Sequence, residues 1–233
     1  MIRLCIDSSA KAASAALLQD GRLLSEQFLN VGLTHSETLM PMVGSVISAA
    51  KLTPDAVDCY AVTHGPGSFT GIRIGIAAVK GMALAGGRPC VGVSTLEAMA
   101  WNLAGQDCIA VCTMDARCAQ VYAALFRCGR AGVTRLCADG ALPIAALAEK
   151  LAAYRGEPLV LLGDGAQLCL DALAQTDLDI RLAPEHLRYQ RAAGAGFASL
   201  QSGKCVSAAD LAPVYLRLPQ AERELKRRTE NQE

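Results

Sequence analysis

The sequence predicts an α/β protein, and three observations carry that prediction. Residues 1–105 alternate strand-like and helix-like patterns in the order β-β-β-α-β-α-β-α. A turn with three glycines and a proline, Gly65-Pro66-Gly67-Ser68-Phe69-Thr70-Gly71, joins an apolar strand pattern to a long alanine-rich helix pattern. The chain has 233 residues, 52% of them apolar, which suffices for one large domain or two small ones with a real core.

The opening reads as three strands with tight turns between them: Ile2 to Asp7, Ala13 to Leu18, and Leu23 to Phe28. Asp20-Gly21 is the hairpin dipeptide before the third. Helix one lies between His35 and Lys51, where Leu39, Met42, Val43, Val46, Ile47 and Ala50 recur at three-and-four spacing. Pro41 predicts a bent or late-starting first turn, and the opposite face carries Gly44, Ser45 and Ser48. Thr53-Pro54-Asp55 is a turn or a short helix start, and Cys59 to Val62 is the fourth strand.

Helix two runs from about Thr70, placed to cap it, to Ala85. Ile72, Ile76, Val79 and Ala83 form one stripe, while Ile74, Ala77, Ala78 and Leu84 cover most of the remainder, with Arg73 and Lys80 as its charges. A helix apolar nearly all round is buried nearly all round. One sheet covers one side, so a second surface is expected to cover the other. Gly86-Gly87 ends the helix, Cys90 to Val93 is the fifth strand, and Ser94 with Glu97 has capping-box spacing at the start of helix three.

In the second half, Cys108 to Asp115 and Gln120 to Phe126 read as paired strands around Asp115-Ala116-Arg117. A helix is expected over Leu142 to Tyr154, a strand over Leu159 to Leu162, a turn at Gly163-Asp164-Gly165 and a helix over Ala192 to Leu200. From Gln220 onward the chain is charged with almost nothing apolar, a solvated helix or disordered tail. The expected division is a first lobe over 1–105, a smaller α/β lobe over 106–218 and a charged tail over 219–233.

With 22 basic and 22 acidic residues, the chain has no positive field to draw nucleic acid, so strong direct binding to it is not expected. Met1-Ile2-Arg3 leads straight into a strand without a signal peptide, and Arg73 and Lys80 interrupt the longest apolar run, so a cytoplasmic protein without a membrane span is expected. The ten cysteines are scattered, with no C-x-x-C, and several sit inside strand patterns (Cys5, Cys59, Cys90, Cys108, Cys112). They read as free buried thiols.

The chemistry legible from residues alone is sparse. His35, His64 and His186 stand at no metal-ligand spacing, and a capping or turn role suits His35 and His64, which flank the helix-one start and the glycine loop and could meet in space. No metal site and no catalytic residues are expected. Ser8, Ser9 and Ser68 have no legible His/Asp relay, so a peptidase is unsupported. Asp7, Asp115 and Asp164 each follow a strand and could converge at a sheet end. The glycine loop could hold an anion at a helix start, but it lacks the Gly-Lys-Ser/Thr ending of a phosphate-binding P-loop; a purely structural turn is the other reading.

Gly65-Pro66-Gly67-Ser68-Phe69-Thr70-Gly71-Ile72-Arg73-Ile74-Gly75 closely resembles the signature of the TsaB family, partner proteins in tRNA threonylcarbamoyladenosine synthesis. Leu4 to Ser9, His35-Ser36-Glu37 through Pro41, Met114 to Arg117 and Ala212 to Arg217 resemble it too, so the likeness runs over nearly the whole chain; Ser8 in place of Thr and Ile72 in place of Leu are small departures. The resemblance implies a two-lobed actin- and sugar-kinase-like (ribonuclease-H-like) fold with a shortened second lobe. It implies a non-catalytic partner of a TsaD-like transferase, with a TsaE-like ATPase completing the complex and a homodimer when the chain is alone.

In that superfamily an acid ending the first strand begins a nucleotide site, so Asp7, Ser8, Ser9, Gly65 and Gly67 are candidates for a vestigial one. Asp7-Ser8-Ser9 is equally an ordinary strand-ending turn. No cofactor of its own is expected, with ATP or ADP held only in the assembled complex. The alternative function is a stand-alone ATPase or kinase. For the partner interface, the expected exposed set is Leu39, Met42, Val43 and Val46 on helix one and Ile72, Ile76 and Val79 on helix two.

Overall fold

A computed structural model describes residues 1–201 and 203–217 of the chain; the charged-tail expectation over 219–233 lies outside the described residues. Strands β1 (Ile2–Asp7), β2 (Ala13–Gln19) and β3 (Arg22–Leu29) form an antiparallel meander. Asp20 and Gly21, both at positive φ, make the hairpin turn. Helix α1 (His35–Ala49), strand β4 (Cys59–Gly65), helix α2 (Phe69–Gly86), strand β5 (Cys90–Ser94) and helix α3 (Thr95–Ala100) follow. The first-half order is the one expected from the sequence. Helix α1 starts at His35 and carries Pro41 within it, so the late start does not occur. Ser68 rather than Thr70 caps α2: the helix begins one residue earlier, and the Ser68 hydroxyl accepts from Gly71 N at 3.2 Å.

The second half holds β6 (Cys108–Asp115), β7 (Gln120–Gly129), β8 (Gly132–Arg135), β9 (Gly140–Pro143), α4 (Ile144–Leu151), β10 (Leu159–Leu162), α5 (Ala166–Leu173), β11 (Ile180–Leu182), α6 (Glu185–Arg188), α7 (Ala192–Gln201) and β12 (Cys205–Val206). The helix expected over Leu142–Tyr154 is therefore the end of an edge strand, a helix of two turns and a 3₁₀ turn.

The two sheets repeat one plan. In the first, β1 pairs β2 and β4, with β3 beyond β2 and β5 beyond β4; in the second, β6 pairs β7 and β10, with β8 beyond β7 and β11 beyond β10. In each the meander is antiparallel and the two later strands run parallel to the first. This doubled ribonuclease-H-like plan is the two-lobed α/β fold predicted.

The pleat sends alternate residues to opposite faces. Leu4 and Ile6 join the core under α1 and α2, whereas Cys5 points to the other face, against Ala192, Ala195 and Ala198 of α7. The sequence division at residue 105 therefore needs correction. Helix α7 packs on the first sheet and β12 pairs β5 at its edge, so the end of the described chain belongs to the first lobe. Glu26 and Ser14 of that sheet hold the start of α7, accepting from Ala193 N (3.1 Å) and Ala192 N (2.7 Å).

The sheet also claims the larger aliphatics of α1 and α2. Leu39, Met42, Val43, Val46, Ile72, Ile76 and Val79 are all buried in the first core, so the expected interface set does not lie on the surface. Burying large side chains against the sheet removes the most apolar area from water, at about 25 cal/mol per Å², and leaves small residues outside. A charge at Val46 or Ile76 would thus cost the fold itself. Helix α2 is long and apolar enough, by length and composition alone, to cross a membrane despite Arg73 and Lys80; here its inner stripe packs on a sheet.

Two glycines of α2 separate close packing from open surface. A Cβ on Gly71 would stand 2.1 Å from the Ser8 carbonyl oxygen, whereas one on Gly81 would meet nothing within 4 Å. Gly71→Ala is expected to destabilise by about 2 kcal/mol or more, lowering the melting temperature by roughly 4–8 °C, while Gly81→Ala raises it slightly. Thermal melts that move alike for both would refute the tight docking of α2 on this turn.

Candidate functional site

Strands β1, β4, β6 and β10 end at a common cleft between the lobes, the place where open α/β sheets bind their ligands. Its volume is about 350 Å³, and Ser9, Lys11, Gly67, Asp115, Arg117 and Asp164 are among the residues lining it. Asp115 and Asp164 do converge here: Asp115 N donates to Asp164 Oδ1 at 3.1 Å. Burial, reinforced by the neighbouring Asp115 charge, pushes the Asp164 carboxyl up from its ordinary value. Asp115 Oδ1 in turn accepts from Arg117 N at 2.7 Å. That bond secures a hairpin tip in which Arg117, Cys118 and Ala119 all have φ between +54° and +66°, a left-handed run that costs L-residues roughly 1–2 kcal/mol each.

Asp7 does not open onto this cleft. It is fully buried behind Ser9, whose N–H and hydroxyl both donate to it at 3.1 Å. Thr63 stands beside the carboxylate without closing a hydrogen bond of normal geometry. The Ser8 hydroxyl donates to Gly71 O (2.9 Å) and Ser68 N donates to Ser9 O (2.7 Å), so the glycine loop and the Asp7-Ser8-Ser9 turn grip one another. Gly67 has φ +154° and a Cβ there would lie 2.3 Å from Ser9 O. Its missing side chain serves backbone contact within the chain. Gly65 lies under the Val214 carbonyl, with a cis peptide to Pro66. Of the five expected nucleotide-site residues, Ser9 and Gly67 line the cleft, and Asp7, Ser8 and Gly65 form its packed backing.

The two loop histidines do not meet. His35 Nε2 bonds the Ala10 carbonyl at 2.6 Å, fixing the start of α1 to the turn after β1. His64 lies over Gly92 of β5, where burial lowers its basicity and the Ala212 carbonyl and Asp139 partly restore it. The serines have no histidine relay among their bonded partners: Ser8 serves Gly71, Ser9 serves Asp7, and Ser68 caps α2.

Sequence reasoning singled out Ala212 to Arg217 but not what that segment packs against. Residues 207–217 run along α2 as a strap. Lys80 Nζ donates to Ala209 O (3.1 Å), Val214 N to His64 O (2.7 Å), and Arg217 to the Ala116 carbonyl across the cleft mouth. Tyr215 stacks on Phe69 with ring centroids 4.9 Å apart, and Arg73 lies 3.7 Å over the Phe69 ring while donating to the Tyr215 hydroxyl at 2.8 Å. The five motif stretches singled out along the sequence thus assemble around one end of the two sheets.

Asp7 offers a pH test of this packing. Burial, opposed by the Thr63, Ser9 and His35 neighbours, holds its carboxyl above the ordinary 3.8, so the folded protein keeps that proton better than the unfolded chain. This contribution is complete below about pH 3.8 and is lost as pH climbs through the raised value. Melting curves across about pH 4 to 8 should therefore show Asp7→Asn gaining on wild type as pH rises. A wild type that gains on the variant would mean a net stabilised carboxylate.

With the geometry established, comparison with known proteins gives consistent results. Residues 30–181 match the family model described as TsaD, tRNA N6-adenosine threonylcarbamoyltransferase. The Bacillus subtilis tRNA threonylcarbamoyladenosine biosynthesis protein TsaB is 31% identical over 228 residues, covering 95% of this chain and 96% of that one. The Escherichia coli TsaB is 35% identical over 133 residues, a match spanning 56% of this chain and 57% of that protein. A crystal structure of a Pseudomonas aeruginosa protein, titled as uncharacterised with similarity to peptidase YEAZ, superposes with a TM-score of 0.79 at 28% identity, covering 93% of this chain and 99% of that chain. Shared fold, a cleft assembled from the signature stretches and near full-length identity together place the chain in the TsaB family of tRNA threonylcarbamoyladenosine biosynthesis proteins.

Proposed function

We propose that this chain is the non-catalytic partner of a TsaD-like subunit, in the complex that transfers a threonylcarbamoyl group to adenosine 37 of tRNAs reading ANN codons. The observation that carries the reading is the outward face of α1 and α2. With the large aliphatics buried, that face presents Met40, Gly44, Ser45 and Ser48 on α1 and Ala77, Gly81 and Leu84 on α2. Small residues let partner helices approach closely, and exposed Leu84 (67%) and Met40 (47%) supply apolar anchors. Two helices of a TsaD-like protein, or of a second copy when that protein is absent, complete a four-helix packing on it.

The remaining assignments follow from this reading. The chain works in the cytoplasm beside a TsaE-like ATPase, brings no metal or cofactor of its own, and leaves tRNA to its partners because its net charge is zero. Nucleotide belongs to the assembled complex. Support for a non-catalytic role comes from the loops at the cleft, whose glycines and serines hold each other. A stand-alone ATPase is the second reading, favoured by Asp115 and Asp164 meeting at the strand ends. Steady-state ATP turnover by the purified chain, abolished by Asp164→Asn, would decide for it.

Ala77→Arg and Leu84→Glu place charges on the proposed face without entering the core. Each should weaken binding to a TsaD-like subunit at least about tenfold, since 1.4 kcal/mol is a factor of ten, and leave the melting temperature within a few degrees of wild type. Calorimetric titration returning wild-type affinity for both would move the interface elsewhere.

A further inference from the structure

All ten cysteines are free thiols, and seven are buried, but one pair differs from the rest. Cys108 on β6 and Cys128 on β7 are direct cross-strand partners in the antiparallel register. Their side chains enter the same core layer, under Ala100 and Leu103, so both project from one face of the sheet. Directly opposed positions bring Cβ atoms to about 4.5–5.5 Å, close to the 3.5–4.5 Å of a disulfide. The thiols also perturb one another, Cys128 being pushed up by its neighbour Cys108 and by burial, and the Cys128 thiol donates to the Ala100 carbonyl at 3.5 Å. Both line a surface cavity of about 380 Å³ at the end of the second sheet. Arg127 and Arg130 are on its wall, and Arg127 is paired with Glu157. The cavity brings solvent to the strand ends that carry the two cysteines, whose own side chains are 6% and 2% exposed.

We propose that Cys108 and Cys128 form a dithiol modification site, oxidised by a peroxide to a cross-strand disulfide. The Cys108 sulfur, as thiolate, attacks one peroxide oxygen. An S–O bond forms, the O–O bond breaks, and the departing hydroxide leaves as water with the Cys108 proton. The Cys128 sulfur then attacks the Cys108 sulfenic sulfur: the S–S bond forms, the S–O bond breaks, and hydroxide takes the Cys128 proton as a second water. Two thiols lose two electrons and one peroxide becomes two waters.

The test uses the full chain carrying Cys118→Ser and Cys205→Ser, which removes its two exposed thiols and the intermolecular links they would form. After graded hydrogen peroxide, non-reducing peptide mapping should find one linked pair, Cys108 with Cys128, two mass units lighter than the dithiol. That link should appear while Cys5, Cys59, Cys90, Cys112 and Cys169 still react fully with alkylating agent after denaturation. In Cys128→Ser the second step is blocked, so dimedone should trap a sulfenic acid at Cys108. Overturning results are full alkylation of both cysteines at peroxide levels that oxidise the other buried thiols, a link to a different cysteine, or separate sulfinic acids without a link. The parent chain's map is decisive even where Cys128→Ser fails to fold.

Discussion

The short helix α3 has two sheets to satisfy, and the rest of the molecule is arranged around that demand. Thr95, Leu96, Ala98, Met99 and Ala100 are all fully buried. Leu96, Met99 and Ala100 enter the core of the second sheet, while Ala98 faces the first sheet and α7. A Cβ on Gly194 of α7 would stand 2.2 Å from the Ala98 carbonyl, so the two helices touch backbone to backbone. Glu97, the one charged residue of the helix, reaches Arg135 of β8 at 2.9 Å, and the Ser94 cap donates to Asp139 at 2.6 Å. With Arg217 spanning to Ala116 at the other end, the lobes are fastened on both sides of the cleft.

The first half of this design was legible because each signal was local and strong. The short apolar run of Ile2 to Asp7, the Asp20-Gly21 turn and the Ser94/Glu97 spacing each pointed to one structure. The seven misplaced interface residues show where such signals stop. Periodicity identified the apolar stripe of α1 and α2 correctly, but a stripe names a buried face without naming what buries it. The sheet took Leu39, Met42, Val43 and Val46 of α1 and Ile72, Ile76 and Val79 of α2, and left mainly alanine, glycine and serine for whatever lies outside. An inward large, outward small division gives the lower free energy whenever one partner is always present and the other is not.

The second half was harder for a different reason. Strands β8, β9 and β11 have three or four residues, too few for a period to register. Helix α7 was expected as a helix, yet Ala192-Ala193-Gly194-Ala195-Gly196 has no amphipathic direction, so its return to the first sheet could not be read. At the cleft, the convergence of Asp115 and Asp164 was legible as two strand ends. The burial of Asp7 was not, because it depends on Ser9 folding back and on glycines whose absent side chains admit backbone.

The return of α7 also bears on synthesis at the ribosome. Roughly a hundred residues separate the end of β5 at Ser94 from Ala192, which at about 5–20 residues per second is about 5–20 s of translation. During that interval one face of the first sheet, with Cys5, Leu18, Ala61 and Val93, has no helix α7 to cover it. The nascent chain thus carries an apolar patch that only its own late residues, or a chaperone in their stead, can shield.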